Sequence, residues 1–243
     1  MTSKDKLEDP ERYEADVANI CETYRNAPEL HKQGAHVVCT DEKTGMQANE
    51  RIHPTKTTKA GLTERLEIEY TRHGTKCLIA NFDVVTGRIV TPTIGDTRTE
   101  DDFTAHIERT IDTDPEATWI FVVDQLNTHM SSSLVHLVAQ RCNLDDELGR
   151  VRGHGPLQNM KTRKAFLANP SHRIRFVYTP RHCSWLNQVE IWFSILVRRL
   201  LKRSSFTSTN DLQQRVSQFI EYFNTVLAKP FKWTYTGKPL QGA

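Results

Sequence analysis

The chain has 243 residues, 37% of them hydrophobic and 26% charged, with a formal net charge of +2. That length can bury a core without disulfides or structural metal. No run approaches the ~18 apolar residues of a membrane span, and the charged start MTSKDKLEDPERYEAD excludes a secretory signal, so a cytoplasmic location is expected.

Residues 1–30 read as a helical lead-in: Val17, Ile20, Cys21 and Tyr24 recur at helical spacing, and Pro28 is expected to end the helix. The run HVVCTDE reads as a buried strand ending at Asp41 and Glu42, and the polar residues 45–64 predict a long loop. Lys76 to Asp83 and Gly87 to Thr93 read as strands joined by a hairpin-type turn. Thr99 caps a helix reaching Ile111, with Asp101 and Asp102 at its positive end. Thr118 to Val123 reads as a buried strand ended by Asp124, and Ser131 to Ser133 open a helix through about Ala139.

Residues 143–172 carry Gly149, Gly153, Gly155 and Pro156 and predict a basic insertion with some helix of its own. Ile174 to Tyr178 is a fifth strand, followed by a loop with Pro180. Asn187 to Lys202 is a helix with Val189, Trp192, Leu196 and Leu200 as an apolar stripe and Asn187, Glu190, Ser194 and Arg198 on another face. Thr209, Asn210 and Asp211 signal the last helix, along which Leu212, Val216, Phe219 and Phe223 repeat. This order predicts an α/β fold, a mixed five-stranded sheet flanked by helices, over residues 31–243.

The five cysteines, Cys21, Cys39, Cys77, Cys142 and Cys183, lack CxxC spacing and read as reduced thiols, which argues against a zinc site. Charge is uneven. Arg150 to Arg203 holds twelve Lys or Arg and one acid, Glu190, leaving 20 basic and 29 acidic residues elsewhere, a net of −9. A polyanion partner and a solvated basic surface both fit such a segment.

Asp41 and Asp124 are each expected just past a buried strand, where a rigid backbone can aim a carboxylate. Glu190 is expected on a helix face. Taken singly, each aspartate also fits a turn former, and Glu190 an ordinary surface acid. Convergence of the three would suit phosphoryl transfer with two Mg²⁺, Asp41 bridging the ions. Arg198, Arg199, Lys202 and Arg203 fit either phosphate contacts or a solvated helix end. Trp192 is expected in the core, and Trp185 is placed to stack on a base.

The segments CTDEKTGMQ, LEIEYTRHGTKCLIANFDVVTGRI, FVVDQLNTHMS, FVYTPRHCSWLNQVEIWFSIL and KPFKWTYTGKPL together resemble bacterial insertion-sequence transposases of the mariner-related DDE superfamily. The resemblance spans about residue 35 to 240. It implies an RNase H-like fold and two Mg²⁺ or Mn²⁺ ions held by Asp41, Asp124 and Glu190 as the catalytic acids. Asn127, His129 and Asn187 would shape the site, although His129 also fits a packed loop histidine. Arg181 joins the four basic residues as a candidate DNA contact.

The implied activity is DNA cleavage and strand transfer in cut-and-paste transposition. The implied partners are the element's terminal inverted repeats and target DNA, bound by a homodimer associated with the nucleoid. The chain departs from the pattern in two ways. The 65 residues between Asp124 and Glu190 exceed the usual gap, and the roughly 30 residues before the first strand leave no room for the family's helix-turn-helix modules. A catalytically silent DNA-binding or regulatory remnant, and a nuclease acting on RNA–DNA hybrids or structured DNA, are the competing expectations.

Overall fold

The computed structural model describes residues 9–53, 60–61, 69–144 and 147–237. Five strands form one sheet: β1 (Ala35–Arg51), β2 (Tyr70–Asp83), β3 (Ile89–Gly95), β4 (Thr118–Val123) and β5 (Ile174–Tyr178). Their order is β3-β2-β1-β4-β5. The first three strands pair antiparallel, β4 lies parallel to β1, and β5 parallel to β4. Parallel neighbours need a long crossover, and helices supply it here. The mixed five-stranded sheet therefore stands as predicted.

Among the described residues six α-helices cover the sheet: α1 (Pro10–Lys32), α2 (Glu100–Ile111), α3 (Ser132–Arg141), α4 (Met160–Leu167), α5 (Val189–Leu196) and α6 (Thr209–Tyr222). Side chains alternate along a strand, so β1 feeds two cores. Val37 and Cys39 pack with Ile20, Ile120, Val122, Trp192 and Val216, beneath α1, α5 and α6. Val38 packs with Ile79, Phe103, Phe121, Leu134 and Leu167, beneath α2, α3 and α4. Burial on both faces explains why TWIFVV in β4 is apolar almost throughout.

Local signals set most boundaries. Thr99 and Asp102 form a reciprocal cap on α2, and Ser131 accepts the Leu134 amide at 3.1 Å to open α3. The 143–172 segment contains α4, capped by Asn159, and packs Leu157, Phe166 and Leu167 into the second core. Ser208, one residue before the expected signal, caps α6. Both α5 and α6 continue into a wider π turn, at Val197–Leu201 and Phe223–Leu227. Among the described residues no helix is long and apolar enough to cross a membrane.

Two expectations are corrected. Pro28 does not end α1, which runs on to Lys32. A mid-helix proline removes one hydrogen bond and costs about 3 kcal/mol. Burial of Val17, Ile20, Cys21, Tyr24 and Ala27 along one face offsets that, and Leu30 beyond the proline still packs on the core.

The second correction matters for function. β1 does not stop at Asp41 and Glu42, and residues 45–51 are strand instead of loop. Residues 54–59 and 62–64 of that expected loop lie outside the described residues. β2 supplies the missing partner: Asp41 pairs with Ala80, Lys43 with Leu78, Met46 with Lys76 and Arg51 with Tyr70. Gly45, at φ +62°, sits in the register shift between Lys43 and Met46, where a bulge needs a left-handed residue. Met46 and Ala48 beyond it are buried.

Candidate active site

Strand register brings the first two carboxylates together. Cys39 of β1 lies opposite Val122 of β4. Two residues further along each strand, Asp41 and Asp124 come level and project from the same face, below α5. Asp41 is therefore held inside β1, between β2 and the end of β4, and Asp124 stands just past the last residue of β4. Asp41 is only 8% exposed.

The third carboxylate comes from α5. Asn187, fully buried at its entry, donates from Nδ2 to the carbonyl oxygen of Thr40 at 2.9 Å, pinning the helix start to the residue before Asp41. Tyr24 of α1 donates its hydroxyl to the Leu186 carbonyl at 2.7 Å. These two bonds fix where α5 begins, and Glu190 in its first turn follows. Asn187 thus acts by tying strand to helix and does not cap α5 with its side chain.

Asp41 and Glu190 each feel the charge of Asp124. Burial, reinforced by the charge of Asp124, pushes the Asp41 carboxyl up to about 8. Burial also raises Glu190, with Lys43 opposing the shift and Asp124 adding to it. Asp124 goes the other way. Burial disfavours its charge, but the hydrogen bond and charge of His129 hold its pKa below the ordinary value.

His129 is fully buried. Its Nδ1 lies 2.8 Å from Asp124 Oδ1 and its Nε2 lies 3.2 Å from Glu42 Oε2. Burial alone would depress this imidazole, yet the bonds to Asp124 and Glu42 overcome it and raise the pKa to about 10. His129 is thus both a packed histidine and a direct partner of Asp124. Asn127, by contrast, is exposed and makes no side-chain hydrogen bond among the described residues.

Arg181 lines an open cleft with Asp124, Gln125, His182 and Ser184. Arg198, Arg199 and Arg203 are not gathered there. They line a separate groove with Phe219, Tyr222 and Lys229, two or more helical turns beyond Glu190, and Lys202 lies exposed beside it. Trp192 is buried, and Trp185 is 48% exposed, edge-on to Tyr235. Sequence reasoning missed Glu42, Lys43 and Arg98, the last being a positive neighbour of Asp124. A strand continued past Asp41 would have placed Lys43 on the same face, at the strand period of two.

The donors around Asp41 and Asp124 are carboxylate oxygens, the chemistry that Mg²⁺ and Mn²⁺ prefer. Burial and the charge of Asp124 together disfavour an ionised Asp41, and a divalent cation would offset both. Among the described residues no three His, Cys, Asp or Glu side chains are drawn close enough to make a complete protein cage. Mg²⁺ characteristically uses one or two carboxylates and takes its other ligands from water and substrate phosphate. The pair Asp41 and Asp124 fits that pattern, with Glu190 above it.

The sequence profile described as DDE superfamily endonuclease matches residues 36–213. Among solved structures, the fold is similar to a Mos1 transposase paired-end complex with left transposon end (13% identity, TM-score 0.53, 87% of this chain and 55% of that one). It is also similar to a Mos1 mariner paired-end complex with Mn (12%, 0.52, 87% and 55%). The catalytic domain of Mos1 mariner transposase matches at 11% identity and a TM-score of 0.50, with 87% of this chain and 82% of that one covered. The sheet is thus RNase H-like, as in that domain. The chain spans just over half the length of the proteins in the paired-end complexes. No curated protein matches it significantly.

Proposed function

The chain belongs to the DDE superfamily endonuclease family, and from that premise we propose that it is the catalytic domain of an insertion-sequence transposase that cuts and joins DNA. The observation that carries this reading is the placing of Asp41 and Asp124 level on neighbouring parallel strands, with Glu190 brought over them by the Asn187 tether. Two divalent cations, Mg²⁺ or Mn²⁺, would supply the Lewis acidity that activates an attacking oxygen and stabilises a leaving one.

The chain's own residues set the stage for that chemistry. Asp41, Asp124 and Glu190 are the carboxylates that would hold the cations, Asp41 and Asp124 from neighbouring strands and Glu190 from the first turn of α5. His129 keeps Asp124 ionised and oriented, and Asn187 fixes the distance from Glu190 to β1. Lys43, Arg98 and Arg181 surround the acids with positive charge for the scissile strand, while Arg198, Arg199, Lys202 and Arg203 hold phosphates further along. Water then displaces the 3′ oxygen of a phosphodiester, and the freed 3′-OH displaces another at a target. Each displacement breaks one P–O bond and forms one. The DNA partners are the element's terminal inverted repeats and its target, held by a homodimer.

The test is cleavage of a labelled duplex in Mg²⁺ or Mn²⁺, comparing the wild-type chain with Glu190→Gln. Metal-dependent cleavage lost in the variant, with folding and DNA binding retained, supports the reading. Equal cleavage by both refutes it. No cleavage by either, with DNA bound, makes the chain a silent DNA-binding remnant. Hydrolysis without any joining of 3′-OH ends makes it a nuclease.

A further inference from the structure

Glu42 takes no part in the cation chemistry, yet its setting is unusual for an acid. It follows Asp41 on β1, so it points to the opposite face of the sheet. Its side chain is 2% exposed and its strand partner is Ile79. A carboxylate placed there is costly unless it is paired. Its partner is Nε2 of His129, at 3.2 Å. The other nitrogen of that ring reaches Asp124 Oδ1 at 2.8 Å.

The ring has little freedom. Phe103 lies against it, with ring centroids 4.2 Å apart, and Tyr178 donates its hydroxyl to the His129 carbonyl at 2.9 Å. At the far end, Asp124 Oδ1 also accepts the Leu126 amide at 2.9 Å. Both anchors fall on one oxygen, and among the described residues Oδ2 carries no hydrogen bond, which leaves it for a ligand. Glu42 touches the other acid as well: its backbone N–H donates to Asp41 Oδ1 at 2.8 Å.

We propose that Glu42 is a positioning residue whose carboxylate orients His129 so that the ring holds Asp124 with Oδ2 turned toward the cation site. The inference rests on the carboxylate–metal reading of Asp41 and Asp124. With a carboxylate oxygen at each ring nitrogen, both contacts are satisfied only when each nitrogen carries a hydrogen, Nε2–H donated to Glu42 and Nδ1–H to Asp124. Without Glu42 nothing anchors the Nε2 edge, the ring can turn, and Asp124 loses its fixed orientation. Partners that orient metal ligands in this way typically alter metal affinity about 10–100-fold.

The experiment measures Mn²⁺ binding by electron paramagnetic resonance, with imidazole N–H signals of His129 followed by NMR in metal-free protein. Glu42→Met keeps the volume and removes the acceptor. Glu42→Asp keeps the charge and shortens the reach. Glu42→Gln keeps an acceptor in place. The first two should weaken Mn²⁺ binding about 10–100-fold and shift or broaden the His129 Nδ1–H signal, while Glu42→Gln should stay within about threefold of wild type. Should Glu42→Met not fold, Glu42→Asp carries the comparison alone. Wild-type Mn²⁺ affinity in folded Glu42→Asp, or a Glu42→Gln as weak as Glu42→Asp, overturns the proposal. Absence of Mn²⁺ binding by the wild type sinks the metal reading instead. The Nδ1–H signal then judges the relay: disturbed in Glu42→Asp it stands, and unchanged it falls.

Discussion

Replacing Asp41 by Asn should disable the site and yet stabilise the metal-free fold. Asp41 is pushed up from 3.8 to about 8 by burial and by Asp124. Its folded form therefore binds a proton more tightly than its unfolded form. Stability from that proton is fully present below pH 4 and is lost as pH rises through 8. At about 1.4 kcal/mol per unit, keeping Asp41 protonated in the fold at pH 7, where the unfolded chain has it ionised, costs on the order of 4 kcal/mol, and relaxation around the carboxyl brings the expected gain to about 2–4 kcal/mol. Asparagine keeps the shape without the charge. At roughly 2–4 °C per kcal/mol for a chain of this size, metal-free Asp41→Asn should melt at least about 5 °C above wild type at pH 7.5. The difference should shrink toward zero at pH 4. Calorimetric titration of the wild type with Mn²⁺ at pH 7 should release close to one proton as Asp41 ionises, and Asp41→Asn should release none from this position. Equal melting temperatures from pH 4 to 8, or Mn²⁺ binding without proton release, would refute the reasoning.

Asn187→Ala removes the bond to the Thr40 carbonyl; it should cost about 1 kcal/mol in urea denaturation but lower single-turnover cleavage about 10–100-fold, because the start of α5 sets the position of Glu190. Tyr24→Phe leaves the Leu186 carbonyl without its 2.7 Å donor and should cost about 1–3 kcal/mol, read by the same denaturation. Replacing Arg198, Arg199, Lys202 and Arg203 together by Ala should flatten the dependence of log K for DNA on log salt by roughly 0.9 for each phosphate that these side chains neutralise. An unchanged slope would place the DNA elsewhere on the surface.

Much of the local structure was legible in the residues themselves. The strands Thr118–Val123 and Ile174–Tyr178 and the capped starts of α2 and α3 lie where their residues point. Caps and apolar stripes work through neighbours one to four residues away, so a linear reading can find them. The family resemblance of the motifs pointed to Asp41, Asp124, Glu190 and His129 as candidates, and strand register brings Asp41 level with Asp124. The linear reading went wrong where a distant partner decides. Polar residues after Asp41 stay in strand because β2 satisfies their backbone, and Pro28 stays in helix because a core lies beneath α1. The level placing of Asp41 and Asp124 depends on register between strands about 80 residues apart. The charge each acid carries, and the employment of Glu42 through His129, follow from burial and neighbours that exist only once the sheet has closed. The order of residues along the chain determined which groups are present and their local backbone; the tertiary structure alone decided which of them meet, because pairing and desolvation are properties of assembled strands and helices and not of any one segment.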